Sequence, residues 1–444
     1  MKVSTLRKID SWVGTSLTLA LSVVRKVTGS LWGDPSGPVR NVLFVKLAEQ
    51  GSTVLAYSAI FRAICMVGRE NVYFLVFEAN RFIVDALDVI PKQNVITIRT
   101  DTVPLLIASA LTAVRRMRTL RLDAAVDMEF FARASAVFTY LSGATRRVGF
   151  HSYAGDGPYR GNLMTHRLVY NPHLHTAQVF EVMVEALNHP QDLFPAFGIQ
   201  APPLGQVQVP TFSPGPDEVA EVRAMIRKVT GKDSVPPIIL LNANCSDLLP
   251  LRRWESKNYI SLARRLLARY KTLYIAFTGD PTESDPVEHL VRQVGSKRCV
   301  SFAGRTTLRQ LLIVYSESQI LVTNDSGPAH FATLTPIDAI TLFGPETPRL
   351  FSAPSLRSHV IWAGTVCSPC VNAYNNRLLT CRDNLCMQRI SVDEVFEKTC
   401  EVFERRWLSR EGHWPGNDRI LVEISLEPVQ ASEKAEHNRR LSWK

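Results

Sequence analysis

The sequence predicts an α/β protein built of two doubly wound domains facing each other across a cleft. Three observations carry that prediction. Short apolar runs rich in β-branched residues alternate with helical segments in both halves of the chain. A stretch dense in proline and glycine, Pro202 to Pro216, separates the halves. The chain's 444 residues also exceed what one hydrophobic core ordinarily supports.

Taken in order, Asn41–Lys46, Asn71–Phe77, Asn94–Ile98 and Ala124–Asp127 are continuous apolar runs, the pattern of parallel strands buried on both faces. Between them, Ser52–Ala63, Val103–Arg118 and Phe130–Leu141 read as helices. The second series has strands at Pro237–Asn242, Leu273–Thr278, Cys299–Phe302, Ile320–Thr323 and Ala339–Phe343. This gives an N-terminal helical segment (1–35), a first domain (36–205), a linker (206–216), a second domain (217–408) and a polar tail (409–444) expected to be disordered. In such sheets the ligand belongs at the carboxyl ends of the strands.

The N-terminal segment carries Lys2, Arg7, Lys8, Arg25 and Lys26 around the uncharged run Ser11–Val24. That run is shorter than the roughly 20 residues needed to span a bilayer. Val13, Leu17, Ala20, Leu21 and Val24 recur at helical spacing with Trp12 beside them, and Thr15, Ser16, Thr18 and Ser22 lie opposite. Two readings fit: a helix in a membrane interface, held by basic residues to anionic lipid, or a helix packed on the protein's own core. A secretory signal is disfavoured by Asp10 within the charged region, by Arg25 and Lys26 directly after the apolar run, and by the lack of a small-x-small cleavage site. The formal net charge of +10 suits an acidic partner, whether nucleotide phosphates or an anionic membrane. No nucleic-acid-binding module and no basic stripe with interleaved aromatics occurs, so nucleic acid is not an expected partner.

The sharpest local signal is Val322-Thr-Asn-Asp-Ser-Gly-Pro-Ala-His-Phe-Ala332, which leaves a predicted strand and opens a helix at Pro328. Proline suits a first helical position, and N–H groups around Ser326 and Gly327 would face an anion, phosphate being the obvious guest. A capped helix start without a ligand fits the same residues. Neither a G-x-G-x-x-G nor a Walker sequence is present, which disfavours a dinucleotide oxidoreductase or a P-loop nucleotidase.

With Leu342-Phe-Gly-Pro345, Leu251-Arg-Arg-Trp254, Asp127 with Arg133-Ala-Ser135, Arg146-Arg-Val-Gly-Phe150 and a Cys-rich C-terminal segment, this string resembles glycosyltransferase family 9, the heptosyltransferases of lipopolysaccharide assembly. The resemblance runs from Asn41 to Arg406. It implies a GT-B architecture of two Rossmann-like domains, the second holding the donor, and inverting sugar transfer from a nucleotide diphosphate, commonly ADP-heptose, with no essential metal. The implied acceptor is lipid-linked or of lipopolysaccharide type, met by a cytoplasmic enzyme peripheral to the inner face of the plasma membrane. Arg252 then stands where the family commonly has a phosphate-neutralising Lys, and Asn244, Asp325, Ser326, Gly327 and His330 are the expected donor-site residues. Asn242 and Ser246 are plausible polar neighbours of the phosphates, and adenine contacts are expected from the loops near Gly279-Asp280 and Ala303-Gly-Arg305. Arg133, Arg146 and Arg147 are candidates for an acidic acceptor, and His151, His173 and His175 lie on the way to the cleft.

The sequence departs from the family in the first loop. Members typically read Gly-Asp there, the Asp being the candidate base, whereas this chain has Ser52 at that position. A serine hydroxyl cannot take a proton at neutral pH unaided, so Glu49, three residues earlier, is the candidate carboxylate beside it. The same departure fits a degenerate homologue that binds nucleotide sugar or a partner protein without turnover. Of the eight cysteines, Cys65, Cys245, Cys299 and Cys400 look like core residues. Cys367, Cys370, Cys381 and Cys386 cluster, which leaves open a structural zinc with four sulfur ligands, free thiols or disulfides.

Overall fold

The computed structural model describes residues 1, 3–28, 37–153, 155, 157–206, 211–245, 249–375 and 381–411. Two six-stranded sheets dominate it. The first holds β1 (Val42–Val45), β2 (Val72–Phe77), β3 (Val95–Ile98), β4 (Ala124–Asp127), β5 (Arg146–Phe150) and β6 (His166–Leu168) in the order β3-β2-β1-β4-β5-β6. The second holds β7 (Ile238–Asn242), β8 (Tyr274–Phe277), β9 (Cys299–Ser301), β10 (Ile320–Asn324), β11 (Asp338–Phe343) and β12 (Ser358–Trp362) in the order β12-β11-β10-β7-β8-β9. Every strand pair is parallel. Both sheets wind alike, and each has a switch point, between β1 and β4 and between β7 and β10, where the loops diverge and leave a crevice.

The central strands are legible because they are buried on both faces: β1, β4, β7 and β10 have no exposed residue. The sequence reading missed β5, β6 and β12. Two arginines open β5, β6 is a three-residue edge strand carrying His166 and Arg167, and β12 is an edge strand with an exposed Val360. The expected helix Ser52–Ala63 is two helices, Gln50–Leu55 and Tyr57–Val67. The expected helix Phe130–Leu141 begins only at Arg133, because Phe131 takes a left-handed conformation (φ 57°).

An aromatic cluster joins the halves. Phe130, Phe131 and Tyr170 of the first meet Phe351 and Tyr374 of the second, with ring centroids 5.1–6.2 Å apart across the junction, and Phe150 packs on the three within its own half. The Tyr374 hydroxyl donates to the Tyr170 carbonyl oxygen. His175 bridges the halves too: its Nδ1 accepts from the Ala177 amide at the start of helix Thr176–Glu185, so Nε2 carries the proton and donates to the Ser352 carbonyl oxygen at 2.8 Å. Burial holds His175 neutral, its pKa lowered to about 4.

The N-terminal segment is helical from Val3 to Thr28, with a wider turn at Asp10–Gly14. It packs on the first half through its small and polar residues. Asp10 Oδ1 accepts from the amides of Arg133 and Ala134 at 3.0 and 2.7 Å, an acid at a helix N-terminus. Thr18 is fully buried, and Ser22 Oγ accepts from the Asn162 amide at 2.8 Å. No helix among the described residues is long and apolar enough to cross a membrane. The expected polar tail lies, from residue 412 on, outside the described residues.

Candidate active site

A cavity of ≈ 510 Å³ opens where the two switch points face one another. Its first wall is the loop after β1 and the helix it feeds, with Glu49, Gln50, Gly51 and Ser52. Its second wall is formed by the loops after β7, β10 and β11, with Asn242, Asn244, Arg252, Asp325, Ser326, Gly327, His330 and Glu346. Glu49, Ser52 and all six expected donor-site residues therefore line one space.

On the first wall, Glu49 takes a left-handed backbone (φ 65°, ψ 75°) immediately before helix Gln50–Leu55. A non-glycine residue there costs about 1–2 kcal/mol. The carboxylate lies 3.6 Å from the ammonium of Lys46, whose side chain is fully buried and also pairs with Glu129 at 3.0 Å. Ser52 Oγ donates to the Glu49 carbonyl oxygen at 2.9 Å and stands 3.4 Å from its carboxylate. Ser52 is thus a donor to Glu49. Gly51 permits the close approach of the walls: a Cβ there would fall 2.4 Å from the His330 ring. His330 is buried, and burial lowers its pKa to about 4, so it is neutral.

The second wall is organised by Asn324, which ends β10. Its Oδ1 accepts from the Trp254 amide at 3.0 Å and the Tyr259 hydroxyl at 3.2 Å, while its Nδ2 donates to the Asn244 carbonyl oxygen at 3.0 Å. Trp254 is wholly buried and donates to the Ile390 carbonyl oxygen at 2.9 Å. These bonds fix the Leu251–Trp254 segment against the strand end, and Arg252 follows into the cavity, donating to the Asp325 carbonyl oxygen at 3.0 Å.

Arg252 is not the solitary cation that the sequence suggests. It pairs with Glu346 and lies 3.6 Å from the Asp325 carboxylate, and both acids are buried. One guanidinium between two buried carboxylates cannot keep both ionised cheaply. Burial pushes the Glu346 carboxyl up to about 8, with Arg252 opposing the rise and Asp325 adding to it, which brings its protonated form within reach of neutral pH. A diphosphate arriving beside this trio would favour that protonated form further. At and above pH 8, ADP binding is accordingly expected to take up a proton, seen by calorimetry as a binding enthalpy that varies with the buffer's ionisation enthalpy. In Glu346→Gln the dependence should disappear, and a buffer-independent enthalpy in the unsubstituted protein would contradict the assignment.

Other expectations fare differently. Asn244 Nδ2 donates to the Thr278 carbonyl oxygen at 3.1 Å, and a Cβ on Gly279 would meet that amide group at 2.8 Å. Ser246 lies outside the described residues. Gly279 and Asp280 line the cavity, as do Thr306 and Thr307 directly after Ala303-Gly-Arg305, while Arg305 pairs with Glu288. The first-domain arginines are consumed by structure. Arg133 stands 3.6 Å from Asp10, Arg146 bonds the carbonyl oxygens of Leu187 and Gly37, and buried Arg147 bonds those of Leu163 and Ala144. Asp127 is buried against Arg160 and Ser135, outside the cavity lining. His151 packs on Tyr153, and neither His151 nor His173 lines the cavity.

Cys367, Cys370, Cys381 and Cys386 form no disulfide. Among the described residues no three His, Cys, Asp or Glu side chains converge as a metal site would require. Cys245, Cys299 and Cys400 are buried, whereas Cys65 is exposed on helix Tyr57–Val67.

Sequence reasoning missed Glu346, Lys46, Glu129 and Asn324. Lys46, Glu129 and Asn324 end or follow a strand at a switch point and Glu346 follows β11, the next strand out, so position after a strand end was the available signal.

The family model Glycosyltransferase family 9 (heptosyltransferase) matches residues 111–379. Lipooligosaccharide heptosyltransferase 2 of Haemophilus ducreyi is 25% identical over 174 residues, 38% of this chain and 49% of that protein. Lipopolysaccharide heptosyltransferase 2 of Salmonella typhimurium is 27% identical over 113 residues, 25% of this chain and 32% of that one. The matched stretches thus span between a third and a half of the curated relatives' length. Among solved structures, E. coli ADP-heptose lps heptosyltransferase II superposes with a TM-score of 0.63 at 16% identity, over 83% of this chain and 99% of that one. The E. coli heptosyltransferase WaaC with ADP-2-deoxy-2-fluoro heptose gives 0.55 at 16% identity, over 81% and 99%. The fold is theirs, the GT-B arrangement of two parallel six-stranded sheets.

Proposed function

Because the chain belongs to glycosyltransferase family 9, the heptosyltransferases, we propose that it moves a heptose from ADP-heptose onto a lipid-borne acceptor of lipopolysaccharide type, at the inner face of the plasma membrane. One observation carries the proposal: a single cavity has the carboxylate of Glu49 on one wall and the Arg252–Asp325–Glu346 trio beside the Ser326-Gly327 turn on the other. ADP and an ADP-heptose analogue occupy structural relatives, which supports the choice of donor.

In this reading the diphosphate lies against Arg252 and the turn at Ser326 and Gly327, with the polar lining of Asn244, Asp325 and His330 around it. Glu49 accepts the proton of the acceptor hydroxyl as its oxygen attacks the anomeric carbon from the face opposite the diphosphate. The bond from that carbon to the phosphate oxygen breaks, ADP leaves with the electron pair, and the configuration inverts. Charge builds on the leaving phosphate during transfer, so Arg252 stabilises the transition state more than the ground state. Ser52 orients Glu49 through its hydrogen bonds. Every step uses protein groups.

Calorimetric titration with ADP, UDP and GDP, followed by transfer assays with ADP-heptose and a lipopolysaccharide-core acceptor, tests the reading. Selective ADP binding on the order of micromolar to millimolar, with transfer, is the expected result. No binding by any nucleotide would overturn it, and ADP binding without transfer or donor hydrolysis would leave a non-catalytic homologue.

A further inference from the structure

The helix Val3–Thr28 is docked the opposite way round from an ordinary amphipathic helix. Its contact stripe is mostly small and polar: Asp10, Gly14, Thr18 and Ser22 recur every four residues and all face the first half, with Leu21 beside them packed on Val137, Leu163 and Met164. Two glycines make the approach close. A Cβ on Gly14 would fall 2.8 Å from Arg133 Cβ, and one on Gly161, which is left-handed at φ 75°, would fall 2.8 Å from the Thr18 carbonyl oxygen. The outward arc is correspondingly apolar, with Trp12 79% and Val27 72% exposed and Val13, Leu19 and Val23 between them. The two sequence readings of this helix, packed and interfacial, therefore describe its two faces.

A second ridge lies nearby. Helix Val103–Thr119 exposes Val103, Ile107 and Leu111, a single row at every fourth residue, the last two 55% and 54% exposed. Both helices contact helix Arg133–Leu141, and the Met1 ammonium donates to the Thr100 carbonyl oxygen at 2.6 Å, so the first helix begins where the second is about to. Lys8 and Lys26 are exposed on the first helix and Arg115 on the second. Helix Val103–Thr119 contains no acidic residue, and the acid of the first helix, Asp10, is turned inward as a cap. Two apolar ridges with a cationic surround match the interfacial zone of an anionic bilayer, apolar side chains among the acyl ends and basic ones at the headgroups.

We infer that these two helices together form a bilayer-facing platform that inserts into the interface of anionic phospholipid membranes. The inference deepens the reading of a lipid-borne acceptor and rests on it. The platform is coupled to the first half beside the cavity. Asp10 caps the helix that carries Ser135, Ser22 and Thr18 hold Gly161 and Asn162, and Arg160 of that same segment pairs with Asp127 at the end of β4, where Ser135 also bonds. A membrane holding the two helices thereby holds the acceptor side of the cleft at its surface.

The test is sedimentation of the full chain with phosphatidylglycerol-rich vesicles against pure phosphatidylcholine vesicles, at low and high salt. Preferential, salt-sensitive binding to the anionic vesicles is expected, with about a tenfold or greater loss of partitioning in each of two double variants, Val23→Glu with Val27→Glu and Ile107→Glu with Leu111→Glu. ADP affinity, measured on the same samples, should be unchanged in both, which separates loss of the surface from loss of the fold. Failure of ADP binding in the unsubstituted protein would fell the transferase reading and leave the vesicle result to stand by itself. Vesicle binding untouched by the second double variant would overturn the two-helix platform. Absence of vesicle binding with a dimer that these substitutions dissociate would assign the ridges to a second copy of the chain.

Discussion

Glu49→Gln is expected to lower transfer by about 10²–10⁴-fold, the range that a positioned general base contributes, while ADP affinity stays within about twofold, less than 0.5 kcal/mol. The substitution keeps the size and the hydrogen-bonding reach of the side chain, so the Ser52 contact survives in altered form and only the proton acceptor is lost. The isolated effect on turnover follows from the geometry: Glu49 lies on the wall opposite Arg252, Asp325 and Glu346, the residues proposed to hold the donor phosphates. Ser52→Ala should cost far less, because Ser52 donates toward Glu49 and accepts no proton from substrate. Its signature is a shifted pH–rate profile, which a purely packing role would not produce. Steady-state transfer assays on the two variants decide. Unimpaired turnover in Glu49→Gln would remove Glu49 from the mechanism, since no compensating carboxylate is offered by Ser52.

Arg252→Ala should do more than weaken the donor. The side chain is nearly buried between Asp325 and Glu346, so its removal leaves two buried carboxyl groups without their cation. Breaking a buried pair in this way costs about 3–5 kcal/mol of stability, on top of any loss of phosphate binding. Loss of ADP binding in the single variant would therefore conflate folding with recognition. The double variant Arg252→Ala, Glu346→Gln, unfolded above pH 8, separates them: there the amide spares the fold the cost of an ionised Glu346 without its cation, and most of the stability should return in thermal or urea unfolding while ADP binding stays lost. Recovery of binding in the double variant would show that Arg252 balances its acidic neighbours and does not grip the phosphate. The titration of Glu346 sets the pH at which to measure. Its folded pKa lies above the unfolded value of 4.5, so its contribution is fully present below 4.5 and is lost as pH rises toward 8. Arg252→Ala should thus be least damaging in acid, where Glu346 is neutral.

Much of the site was legible because strand ends in a doubly wound sheet announce themselves. The Val322–Ala332 string follows an apolar run directly, and Ser326, Gly327 and His330 fall on the cavity wall where that placement puts them. Glu49 was readable from its loop. Its left-handed backbone and its pairing with Lys46 were not, because Lys46 looks in sequence like any lysine ending a strand and only burial makes it a partner. The first-domain arginines erred in the other direction. Arg133, Arg146 and Arg147 read as candidates for an acidic acceptor, and the fold sets them against Asp10 and backbone carbonyl groups.

The amino-acid pattern by itself determined the fold class, the central strands of both sheets and the strand ends from which the cavity is built, because two-sided burial demands continuous apolar runs and a switch point demands the loops beside it. Tertiary structure alone decided how charge is distributed there. Whether Arg252 meets one anion or two, whether His175 and His330 are neutral, and which face of the first helix is turned outward all depend on side chains far apart in the chain coming within a few ångströms of one another. Desolvation and pairing at that range set protonation and exposure, and sequence spacing carries no record of them.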